Sequence, residues 1–89
     1  MTDALRAGEG LVAWLGGVRV GVANIWERSY ELEDGSAATG LSAQLMPDDG
    51  EDVVVGEGSH VEFGGTQFRV VEVVKDRDER GYVIFQPLP

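Results

Sequence analysis

Residues 53–74 read VVVGEGSHVEFGGTQFRVVEVV, and the reading of this stretch decides the fold. Two apolar runs meet across Gly64-Gly65. Glycine alone takes positive φ without steric cost, so a glycine pair between strand-like segments predicts a hairpin with a two-residue loop. Such a loop sets which residues face each other, and Phe63 and Phe68 should then enter one core. We read this stretch as the central hairpin of an all-β chain.

Downstream, Thr66 to Val74 is the richest strand. Phe68 and Val70 lie on one face and Val71 and Val73 on the other, which implies a central position or a bulge at Val70-Val71. The loop Lys75 to Gly81 mixes both charges and reads as a solvated hairpin tip. Tyr82 to Gln86 is the last strand, closed by Pro87 and Pro89, because proline donates nothing to a ladder.

Upstream, Gly56-Glu57-Gly58-Ser59 is either a tight connection or a bend within one long strand. Pro47-Asp48-Asp49-Gly50 has the residue order of a type I turn followed by a left-handed residue, so Glu51 to Val55 should return antiparallel to Leu41–Met46. Asp34-Gly35 marks another turn. Val18, Val20 and Val22 alternate with Arg19, Gly21 and Ala23, the period of a half-buried strand. The apolar phase then slips from even to odd at Ile25, which predicts a bulge near Ala23-Asn24. Gly16-Gly17 is a second glycine pair suited to a tight hairpin with Leu11 to Leu15. Residues 1–9 form a lead-in, mostly coil, where Thr2 or Asp3 would cap at most one helical turn.

About seven short strands at 8 to 12 residue spacing predict an antiparallel β-sandwich, with a small, partly open β-barrel as the alternative. A chain of 89 residues is read as one domain, 1–89, of modest stability. It has no cysteine, which removes disulfides, thiolate metal sites and cysteine nucleophiles. The N-terminus lacks the basic start and apolar core of a secretory signal, and no apolar run approaches membrane-spanning length. The expected address is cytoplasmic. Six arginines against one lysine, with abundant Gly, Ala and Val, point to a GC-rich bacterial source.

The net charge is −9, and nine carboxylates fall between Glu31 and Glu62 with no lysine or arginine among them. That field repels phosphate backbones and anionic lipid, so neither nucleic acid nor membrane is an expected partner. It attracts a basic protein surface or a cation. The plainer explanation is that acidic loops keep a small β protein soluble.

His60 is the sole histidine. It follows Ser59, but neighbours on a strand point to opposite faces, and the strand-turn-helix setting of a serine nucleophile is missing. The run Asp48-Asp49-Gly50-Glu51-Asp52 lacks EF-hand spacing. Glu31, Glu33 and Asp34 have the same standing. No catalytic residue, cofactor or metal is therefore expected. Trp14 and Trp26 are read first as core residues; the sharper alternative places Trp26, Arg28 and Tyr30 in a partner-facing patch.

From Val53 onward, the order of strand, Gly-x-Gly, Val-x-Phe-Gly-Gly, Phe-x-Val-x-x-Val, charged loop, strand and proline resembles small β-rich actinobacterial proteins. Gly58 to Val70 is similar to the closing strands of forkhead-associated domains. It lacks their Gly-Arg strand end and Ser-x-x-His phosphate motif, so that resemblance implies a sandwich-like fold and not phosphopeptide recognition. Phage neck and tail adaptors end in comparable hairpins.

The leading expectation is a non-catalytic interaction module, such as a small inhibitor, immunity protein or adaptor. Its candidate contact residues are Trp26, Arg28, Tyr30, Glu31, Glu33, Asp34, Asp48, Asp49, Glu51 and Asp52. The alternative is a self-assembling structural subunit that pairs acidic loops with Arg69, Arg77 and Arg80. Monomer and homo-oligomer are both compatible with the sequence.

Overall fold

The computed structural model describes residues 4–76 and 79–89. Eight strands form: β1 Leu5–Gly8, β2 Val12–Leu15, β3 Val18–Glu31, β4 Ala37–Pro47, β5 Val53–Gly56, β6 His60–Phe63, β7 Thr66–Val74 and β8 Tyr82–Pro87. They pair into two antiparallel four-stranded sheets, ordered β2-β3-β4-β5 and β1-β8-β7-β6. The all-β antiparallel architecture is as the sequence predicts, with one strand more. No helix is present among the described residues, and so none that is long and apolar enough to cross a membrane.

The extra strand corrects the expectation of a coiled lead-in. Leu5–Gly8 pairs with β8 in register from Leu5↔Phe85 to Gly8↔Tyr82. Ala7 is buried, and the Arg6 guanidinium lies 3.8 Å from the centre of the Tyr82 ring. A four-residue strand with one buried alanine has too few apolar positions to show a period, and it exists because β8 offers it an edge. The expected cap at Thr2 or Asp3 lies outside the described residues, as do Arg77 and Asp78 of the Lys75 to Gly81 loop.

The hairpin across Gly64-Gly65 forms as predicted, with Phe63 and Phe68 ring centres 6.3 Å apart. Phe68 meets Phe85 edge-on at the same distance, so three rings run through the core. The hairpin is not central, however: β6 ends its sheet, and of the hairpin's two strands β7 alone has neighbours on both sides.

Two bulges let apolar residues crowd onto the inner face. In β3 the register shifts between Ala23 and Trp26, and Asn24 takes φ 53°, a left-handed value that asparagine tolerates better than most residues. The slip returns Ile25 to the core beside Val22. In β7 the shift falls between Val70 and Glu72; Val71 is left outward while Val70 and Val73 stay buried.

The two sheets are tied along one side at the β1–β2 connection. Glu9 N–H donates to the Gly81 carbonyl (2.8 Å) and Gly10 N–H to that of Val22 (2.7 Å). The largely buried Glu9 carboxylate accepts from Ile25 N–H (3.0 Å), Gly81 N–H (3.0 Å) and Lys75 Nζ (2.6 Å). It thereby satisfies the amide that the β3 bulge frees from the ladder. Burial pushes this carboxyl up, but the Lys75 ammonium and the Gly81 and Ile25 amides outweigh burial and hold it at about 2. On the other side β5 and β6 each end their sheet, so a seam lies between them.

Candidate functional site

The chain passes from one sheet to the other within four residues. Ser59 N–H donates to the Gly56 carbonyl (3.0 Å), and Gly58 carries φ 91°. Gly58 N–H and the Ser59 carbonyl then bind the two polar groups of Val70, each at 2.8 Å. Gly56-Glu57-Gly58-Ser59 is thus a tight turn, not a bend. The buried Ser59 hydroxyl accepts from Gly56 N–H (3.1 Å) and donates to the Glu31 carbonyl (2.8 Å), so both its capacities are spent on structure. The Tyr30 ring lies against Gly56 where a Cβ would overlap it, and its hydroxyl donates to the Glu57 carbonyl (3.2 Å).

Beside this turn a groove of about 600 Å³ runs along β5 and reaches the start of β6. Its walls are Tyr30 to Glu33, Asp52 to Val55, Ser59 and His60. Three carboxylates, Glu31, Glu33 and Asp52, line it, and no lysine or arginine does. His60 Nε2 lies 3.4 Å from Glu33 Oε2. A smaller hollow of about 280 Å³, lined by Glu33, His60, Val61, Glu62 and Gln67, continues it beside β6.

Asp52 is held by a polar row across the sheet. Asn24 Nδ2 donates to Gln44 Oε1 (2.7 Å), and Gln44 Nε2 donates to Asp52 Oδ2 (2.8 Å). Lateral support of this kind lowers the entropy lost when a cation pairs with the carboxylate. Among the described residues no group of three or more His, Cys, Asp or Glu is arranged to hold a metal ion.

The other candidate residues fall into three places. Trp26 and Arg28 stand together: the guanidinium lies 4.8 Å from the indole centre, while Nε donates to Ser42 Oγ (2.7 Å) and Nη2 to the Asn24 carbonyl (2.6 Å). Tyr30 shares their face of β3 by alternation but is directed to the Gly56 turn. Asp34 is a turn residue, accepting from Ser36 N–H (2.9 Å) and Oγ (2.5 Å), which holds its carboxyl below the usual range. Asp48, Asp49 and Glu51 sit in the β4–β5 turn, at the opposite end of β4 from Asp34. Arg19 is 3.9 Å from Asp48, and both are exposed, so this pair does little to neutralise the turn. The acidic stretch therefore divides, and Glu31, Glu33 and Asp52 are the acidic residues that line the groove.

The expectation that both tryptophans are core residues is corrected. Trp14 is 68% exposed and Trp26 51%, because Leu15 and Ile25, each next in sequence, take the inward positions. The linear pattern also gave no sign of Leu32 or Val54 as parts of a site, and raised Ser59 only as a nucleophile beside His60. Each gains its place from the β4–β5 register and the crossing at Gly56–Ser59. No family model, curated protein or solved structure matches this chain.

Proposed function

We propose that this chain is a non-catalytic protein-interaction module of the cytosol, of the inhibitor, immunity-protein or adaptor kind, whose acidic groove receives a basic partner. The observation that carries this reading is the groove itself: three acidic residues from two separated segments line it, with no lysine or arginine among its walls and His60 beside Glu33 as the one basic side chain. Carboxylates that face a concavity act together on an entering cation, since the low-dielectric walls concentrate their field. The rest of the −9 charge acts at longer range, raising the encounter rate with a basic surface and slowing it with nucleic acid or anionic lipid. Trp26 with Arg28, exposed beyond the groove, offers an aromatic anchor of the type common at interfaces.

The test is the ionic-strength dependence of association. A short peptide rich in lysine and arginine should bind with a rate constant that falls steeply as salt is raised through the range where the Debye length shrinks to about 8 Å. An association rate indifferent to salt would remove the electrostatic basis of the proposal.

A further inference from the structure

We infer that the groove's occupant is an extended segment with lysine or arginine at alternate positions, which adds to the free edge of β5 as a fifth strand of that sheet. This inference rests on the acidic-groove reading and specifies the shape of the partner. Strand β5 pairs with β4 alone, in register from Val53↔Leu45 to Gly56↔Ser42. Gly56 turns its N–H and its carbonyl away from β4, toward Ser59. An antiparallel ladder alternates, so Val54, two residues earlier, points its own N–H and carbonyl the same way. Among the described residues nothing meets those two groups. They open into the groove, whose wall follows β5 from Asp52 to Val55, a span of about 10 Å at ~3.4 Å per residue.

The residues around this edge indicate which strand it accepts. Natural edge strands are usually blunted by lysine, proline or a bulge, and Val53-Val54-Val55 carries none of these. Its protection is acidic instead, from Glu51, Asp52 and Glu57 in the flanking turns and from Glu31 and Glu33 across the groove. Acidic flanks oppose the edge of a second copy of this chain, which carries the same charges, and admit a basic strand. On such a strand successive side chains alternate, so one set of cations faces Glu31, Glu33 and Asp52 while the backbone pairs with Val54.

The probe is a nine-residue peptide alternating lysine and valine, titrated at low salt in three forms: unmodified, and N-methylated on alternate residues in each of the two registers. One-edge pairing predicts that one methylated register binds about ten-fold more weakly and the other binds nearly as the parent does. Amide exchange at Val54 should slow only with peptides that bind. Val54→Pro, which removes an amide not used by β4, should weaken the parent peptide to a similar degree while leaving the melting transition in place. Equal binding by all three peptides with unchanged exchange at Val54 would overturn strand addition and leave the acidic groove standing. Register-sensitive binding that survives Glu31→Gln, Glu33→Gln and Asp52→Asn would keep the strand and remove its basic character. Failure of the unmodified peptide to bind at all would overturn both.

Discussion

Gly16 and Gly64, on the tips of two different hairpins, are packed backbone against backbone. A Cβ on Gly16 would overlap the Phe63 carbonyl, and one on Gly64 would overlap the Gly16 carbonyl. The two turns have nearly the same conformation, with φ of 60° and 80° at Gly16 and Gly17 and 58° and 82° at Gly64 and Gly65. Both are of the kind that matches the twist of the flanking strands. Joining the β2–β3 tip to the β6–β7 tip ties one sheet to the other at a second place besides the Glu9 connection.

This contact separates the four glycines into two classes. Alanine at any of them meets a left-handed penalty of about 1–2 kcal/mol. Gly17 and Gly65 have open space beside them, whereas Gly16 and Gly64 do not. Gly16→Ala and Gly64→Ala should therefore cost about 1–3 kcal/mol more than Gly17→Ala and Gly65→Ala in urea melts. Equal losses at all four positions would show that the tips do not press together.

Glu9 gives a pH signature. Its folded value, about 2, lies below the ordinary 4.5, so the stabilisation is fully present above pH 4.5 and disappears as pH falls through about 2. Glu9→Gln keeps an acceptor but no charge, and should be less stable than wild type by roughly 2 kcal/mol at neutral pH. The gap between the two proteins should close between pH 4.5 and 2. A gap independent of pH would mean that the carboxylate's charge contributes nothing.

The tryptophans report on the bulge. With both indoles on the outer side, emission should be red-shifted and readily quenched by acrylamide in each single-tryptophan variant, Trp14→Phe and Trp26→Phe. Trp26→Ala should cost no more than about 1 kcal/mol, the scale of an exposed cation–π contact. Blue-shifted, quencher-resistant emission from Trp26 would place Ile25 outward and remove the register shift.

Tyr30 and Gly56 are coupled by contact. Gly56→Ala drives a methyl into the ring and should cost about 1–3 kcal/mol. In the Tyr30→Ala background the same change should cost at least 1 kcal/mol less, since the obstructing ring is gone. Additive losses would mean that the ring does not lie on Gly56.

Most of the fold was legible because its signals are local. The glycine pairs require positive φ whatever surrounds them, and the phase slip at Ile25 and the adjacent Val70-Val71 each force a bulge if one face is to stay apolar. Strand β1 was not legible, since what holds Leu5–Gly8 is the free edge of β8, 74 or more residues away. The tryptophans misled because size was taken for burial, when alternation had already assigned the inward places to Leu15 and Ile25. Of the acidic stretch, the sequence shows the sign but not the partition. Asp52 is held at the groove by Gln44, eight residues back across the β4–β5 hairpin, and Glu31 by the Ser59 hydroxyl, 28 residues on, which draws its carbonyl to the turn.

The central claim is that the groove, and not the overall charge, binds a basic chain. It is tested by two triple variants that remove equal charge, with binding of the lysine–valine peptide measured at one salt concentration. One is Glu31→Gln, Glu33→Gln, Asp52→Asn in the groove; the other is Asp48→Asn, Asp49→Asn, Glu51→Gln in the β4–β5 turn. The account predicts a loss of about ten-fold or more for the groove triple and a change within about two-fold for the turn triple. Equal losses in the two would show that net charge alone governs binding and would contradict the assignment of the site.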